Sequence, residues 1–130
     1  MIKEFILYMR YLYIFATLFF TVYGQMILKW RISQLGFALP DSGIVDKFAA
    51  LFRLVFDPFI LSGFVSAFVA SMFWMAAMTK FQITEAYPFM SLAPALVFLL
   101  GVWLLGETFT VGKVVGLILI IVGLIVTVKY

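Results

Sequence analysis

Cysteine and histidine are both missing from this chain, and charge of either sign is scarce. Without Cys there is no disulfide and no thiolate metal site, and the redox compartment cannot be read. Without His the commonest general base and metal ligand is gone. No paired-carboxylate motif replaces them, so no acid–base or nucleophilic constellation can be assembled, and an enzyme is the class the sequence supports least. Nine Lys or Arg and six Asp or Glu make up 12% of 130 residues, where a soluble domain carries about a quarter. The net charge of +3 is spread along the chain, with no basic block to suggest a nucleic-acid partner. Nothing in the composition calls for a cofactor or a metal.

What is abundant is hydrocarbon. Hydrophobic residues make up 66% of the chain, sixteen residues are Phe, and the mean hydropathy is +1.20. Such a chain cannot cover a core with polar surface in water; its solvent is lipid. Charge-free runs stand at 11–28, 58–79, 86–106 and 114–128. A spanning helix needs about 20 apolar residues, and the last run reaches that length if it starts near Thr108 and Lys113 snorkels. The expected fold is therefore all-α and polytopic: a single domain of four transmembrane helices near 11–31, 58–80, 85–106 and 108–128. The basic N-terminus before an apolar run mimics a signal peptide, but no small-residue cleavage site follows, so an uncleaved first span is expected.

With four spans, Lys3, Arg10, Lys80 and Lys129 fall on one side, and Lys29, Arg31, Lys47, Arg53 and Lys113 on the other. That tally gives no orientation under the positive-inside rule. It is either a noisy short count or the mark of a chain that pairs with an inverted partner. Between the first two spans, Pro40, Asp41, Ser42 and Gly43 break the chain and offer N-cap chemistry. Ile44, Phe48, Leu51, Phe52 and Val55 then recur at helical spacing, predicting an amphipathic helix over 44–56 in the interface plane, as an anchor or as a gate.

Polar groups inside the spans are the candidates for function. Tyr13, Thr17, Thr21, Gln25 and Lys29 recur every fourth residue in the first span, a row that should face a helix interface or a wet cavity. Interhelical hydrogen bonding accounts for the threonines and snorkelling for Lys29; a binding role is the alternative reading. The third span opens with Glu85, Tyr87, Pro88, Ser91 and Pro94. Pro88 and Pro94, six residues apart, cannot both lie in the first turn. At least Pro94 deprives the Met90 carbonyl of its donor, so a helix break is expected around this pair, of the kind found beside binding cavities. Glu85 is either a substrate contact or an interfacial partner of Lys80. Gly112, Gly116 and Gly123 in the fourth span form a small-residue packing face. One four-helix bundle leaves no room for a solute pathway, so pairing with a second copy or a sister subunit is expected.

Together, Gly24-Gln25-Met26-Ile27-Leu28-Lys29, Ala86-Tyr87-Pro88, Ser91-Leu92, Glu107, Gly116 and Gly123 resemble the small four-helix members of the drug/metabolite transporter superfamily, EamA-like and small-multidrug-resistance-like. The stretch from Trp74 onward is most similar to subunits of the bacterial aminoarabinose-phosphoundecaprenol flippase. Small multidrug exporters carry a proton-exchanging Glu three residues before the shared Gly; here that position is Thr21. The resemblance therefore implies a flippase for a polyprenyl-phosphate sugar, in a dimer of inverted subunits in a bacterial or archaeal cell membrane. It puts Lys29 and Gln25 on the phosphate, with Thr21, Glu85, Tyr87 and Ser91 on the sugar. A quaternary-cation exporter and a non-transporting helper subunit are the alternatives.

Overall fold

A computed structural model describes all 130 residues and contains helices only. α1 covers Ile2–Leu35, α2 Ile44–Leu54, α3 Pro58–Met78, α4 Ile83–Ala86, α5 Leu92–Leu104 and α6 Val111–Lys129, with a 3₁₀ turn at Tyr87–Ser91 between α4 and α5. Four stretches are long and apolar enough to cross a bilayer: α1, α3, Ile83–Leu104 and α6. The chain is a multi-pass membrane protein of all-α architecture.

α1 is longer at both ends than the expected span. Its 34 residues extend about 50 Å, against a hydrocarbon thickness of about 30 Å. No proline or turn residue interrupts it before Gly36, whose φ of 60° closes the helix. The Gly36 N–H donates to Ser33 and that of Phe37 to Ile32, a Schellman closure that satisfies two terminal carbonyls. α3 begins at Asp57, whose carboxylate accepts from the N–H groups of Phe59 and Ile60 at 3.2 and 3.3 Å, with Pro58 in the first helical position. α6 starts at Thr110, whose hydroxyl accepts from Lys113 N–H at 3.2 Å. The first helical residue, Val111, is three residues later than a helix beginning near Thr108, because Thr110 supplies the cap.

α2 follows an N-cap at Gly43 that makes no side-chain capping bond; Ser42 instead donates to the Asp46 carboxylate at 2.6 Å. The expected cap chemistry is thus spent side chain to side chain. None of the α2 residues is buried.

The third span tightens around Pro88, inside the 3₁₀ turn. Pro94, expected to bend the helix, instead stands in the first turn of α5, where a missing N–H costs nothing. The Ser91 hydroxyl donates to the Pro88 carbonyl and returns a hydrogen bond to the irregular backbone.

α1 packs chiefly on α3. Gly24 and Gly63 meet at their crossing, and the buried Ser66 hydroxyl donates to the Phe20 carbonyl at 2.7 Å. Nearer the N-terminal end of α1, Ile14, Leu18, Ala77, Phe81 and Ala86 form the core. α6 is different. It buries only Leu124, and no atom lies within 4 Å of a Cβ built on Gly116 or Gly123. Within one chain, the α6 glycines pack against no other helix.

Candidate functional site

A cavity of about 840 Å³ opens between α1, α3 and the broken third span. α1 contributes Thr17, Thr21, Gly24 and Gln25; α3 contributes Gly63, Ala67, Ala70, Ser71 and Trp74. The break supplies Thr84, Tyr87, Pro88, Met90, Ser91 and Pro94. Thr17, Ser71 and Ser91 spend their hydroxyl protons on carbonyls of their own helices. Thr21, Gln25 and Tyr87 make no side-chain hydrogen bond inside the chain, and so present free donors and acceptors to the cavity. Trp74 and Tyr87 meet edge to face at 6.1 Å, forming an aromatic wall that ties α3 to the break. No carboxylate or ammonium lines this space.

Further along α1, a second cavity of about 440 Å³ is lined by Lys29, Trp30, Ser33, Gln34, Leu104, Leu105 and Glu107. Its polar groups are one cation, one anion, a hydroxyl and an amide. Thr21, Gln25, Lys29 and Ser33 follow one another at four-residue steps, so a single face of α1 passes from the first cavity into the second. A third space, of about 750 Å³, separates α2 from the ends of α1 and α3, and all of its eleven lining residues are hydrophobic. Leu28 and Ile32, one step around α1 from Lys29 and Ser33, belong to it.

The same end of the bundle is clasped by Arg31 and Asp57. The Arg31 Nε donates to both Asp57 oxygens, at 3.1 and 3.0 Å, and its guanidinium lies 4.8 Å from the centre of the Phe59 ring. The hydrogen bond from Arg31 lowers the Asp57 pKa from its ordinary 3.8; burial opposes that, and the N–H groups of Ile60 and Phe59 add to it. This is the only ion pair in the chain.

Thr21, Gln25, Tyr87, Pro88, Ser91 and Pro94, singled out in the sequence, line one cavity. Lys29 does not line it; it lines the neighbouring cavity, together with Glu107. Glu85 is exposed on α4 and lines neither, and it forms no ion pair with Lys80. The α3 wall escaped the sequence reading. Its signal was present: Gly63, Ala67, Ala70, Ser71 and Trp74 repeat small residues at helical spacing and end on an indole.

A bundle of four membrane-spanning helices with a polar cavity between them and a charged vestibule beside it has the form of a membrane transporter. The match to known sequences agrees: the chain belongs to the EamA-like transporter family, aligned over residues 4–129. It is 34% identical over 106 residues to the probable 4-amino-4-deoxy-L-arabinose-phosphoundecaprenol flippase subunit ArnF of Erwinia tasmaniensis, covering 78% of this chain and 80% of that one. The ArnF proteins of an Enterobacter species and of Pseudomonas paraeruginosa are 33% and 31% identical over 107 and 105 residues. Each comparison covers 78% of this chain, and 80% and 72% of the respective relatives. No solved structure matches.

Proposed function

We propose that this chain is a subunit of a flippase that moves a polyprenyl-monophosphate glycoside across a bacterial cell membrane. The observation that carries the reading is the continuous polar face of α1. From vestibule to mid-membrane it offers Ser33, Lys29, Gln25 and Thr21 in order. A lysine is a compact donor for a phosphate, and the two uncommitted polar groups beyond it suit sugar hydroxyls. Tyr87 and Ser91 face them across the cavity. The prenyl tail stays in hydrocarbon, and the apolar space under α2 opens on the same end of α1. Glu85 has no part in this arrangement. α2, with its apolar face toward that space, rests in the membrane interface.

The substrate passes by alternating access in a dimer, either of two copies or with a sister subunit, inverted with respect to each other. The even split of basic residues and the outward glycines of α6 both support that pairing. The names of the relatives, flippase subunits for an aminoarabinose-phosphoundecaprenol, support the substrate class. The Trp74–Tyr87 wall would also suit a quaternary cation. The lack of any carboxylate in the main cavity counts against that use, because a proton-for-cation exchange needs a titratable group there.

The test is reconstitution in vesicles, alone and with any sister subunit that co-purifies. A fluorescent polyprenyl-phosphate aminosugar should move between leaflets, and quaternary ammonium dyes should not. Dye export without lipid movement would replace this reading with the exporter; movement of neither would favour a helper subunit.

A further inference from the structure

The vestibule contains a negative group that the reading above does not use. Glu107 stands three residues beyond the C-terminal end of α5, and its N–H donates to the Gly101 carbonyl at 3.1 Å. Its carboxylate folds back over the same turn: a Cβ on Gly101 would come within 3.1 Å of Oε2 and 3.7 Å of Cδ. Gly101 is buried, and the absence of a side chain there makes the seat for the carboxylate. The loop that follows sends no further N–H to the carbonyls of Val102, Trp103 and Leu104. A carboxylate is thus parked at the negative end of a helix, where a cation is favoured and an anion is not. No cation of the chain neutralises it. Lys29 lines the same cavity, yet the only ion pair in the chain is Arg31–Asp57.

Resting on the flippase reading, we infer that Glu107 reads a cationic ammonium on the sugar of the lipid headgroup, while Lys29 holds its phosphate. A sugar joined to a lipid through one phosphodiester carries a single negative charge, and a free amine on that sugar adds one positive charge. The vestibule carries the complementary pair, one ammonium and one carboxylate, across about 440 Å³. The two do not pair with each other within the chain, so each is left to meet the opposite charge of a headgroup. A neutral or N-acylated sugar would leave the carboxylate unpaired at a helix C-terminus, so the site selects for charge as well as shape.

The experiment compares two lipids in the reconstituted full-length protein: a polyprenyl-phosphate sugar with a free amine, and the same lipid N-acetylated. The wild-type protein is expected to favour the free amine roughly tenfold or more, as for a charge-assisted hydrogen bond. Glu107→Gln is expected to bring the ratio of the two rates close to one. Gly101→Ala, which displaces the carboxylate without removing it, should lower the ratio too, and Glu107→Asp should retain part of it. Assembly in the membrane is checked for each variant. A ratio unchanged in Glu107→Gln, or an equal loss for both lipids in a well-assembled variant, overturns the assignment and leaves the flippase reading standing. If the wild-type protein moves neither lipid, the flippase reading falls and this assignment with it.

Discussion

Gly24 and Gly63 stand against each other where α1 crosses α3: a Cβ on Gly24 would come within 3.1 Å of the Gly63 carbonyl oxygen. From the other side, a Cβ on Gly63 would fall 2.8 Å from Ile27 Cγ2. Both glycines and Gln25, the next residue on α1, line the same cavity.

Enlarging either glycine should therefore drive the two helices apart. Gly24→Val, pressed against backbone, is expected to cost about 1–3 kcal/mol, the usual range for overpacking. Thermal melting of the detergent-purified protein measures this, and Met72→Leu, exposed on α3 well beyond the crossing, serves as the control with a small effect. An undiminished melting temperature for Gly24→Val would contradict the close crossing.

The Arg31–Asp57 clasp predicts an acid limb in the stability curve. Because pairing lowers the Asp57 pKa below 3.8 in the folded protein, the unfolded chain takes up its proton first as pH falls. The contribution is complete above the unfolded value and is lost as pH drops through the folded one. Melting temperatures from pH 6 down to pH 3 should fall below about pH 4. Asp57→Asn, which keeps a cap acceptor but not the charge, should flatten that limb.

Gln25→Leu and Tyr87→Phe remove polar atoms that no other group in the chain uses. They should leave folding intact and slow lipid movement. A loss of roughly threefold to tenfold each corresponds to one hydrogen bond of about 0.5–1.5 kcal/mol. The readout is initial rate in vesicles, normalised to inserted protein.

The outward glycines of α6 predict where a partner docks. A single cysteine introduced as Gly116→Cys or Gly123→Cys can be cross-linked without removing any native thiol, since the chain has none. Cross-linked dimers are expected from either position, but not from Phe68→Cys on the exposed surface of α3. Gly116→Leu should weaken the dimer while leaving the monomer's melting unchanged.

The four spans, the break near Pro88 and the polar row of α1 were legible in the sequence because lipid makes each of them costly to misplace. Charge-free runs must become helices, and a polar row must turn inward. Span ends were less legible. α1 runs past the hydrocarbon at both ends, since hydropathy marks where lipid stops and not where a helix does; only Gly36 ends it. The sequence pointed to Pro94 as the bend, yet the tightened turn around Pro88 restarts the helix so that Pro94 becomes a first-turn residue. Glu85 and Glu107 are both acids near span ends. Only the fold turns one outward on α4 and folds the other over Gly101.

Lipid movement by Lys29→Ala tests the central claim most directly. The variant, reconstituted beside the wild-type protein at equal density, is predicted to assemble as a dimer and to lose translocation of the polyprenyl-phosphate sugar by a hundredfold or so, about 2.7 kcal/mol. Arginine at the same position should restore part of it. Translocation by Lys29→Ala at the wild-type rate would contradict the account.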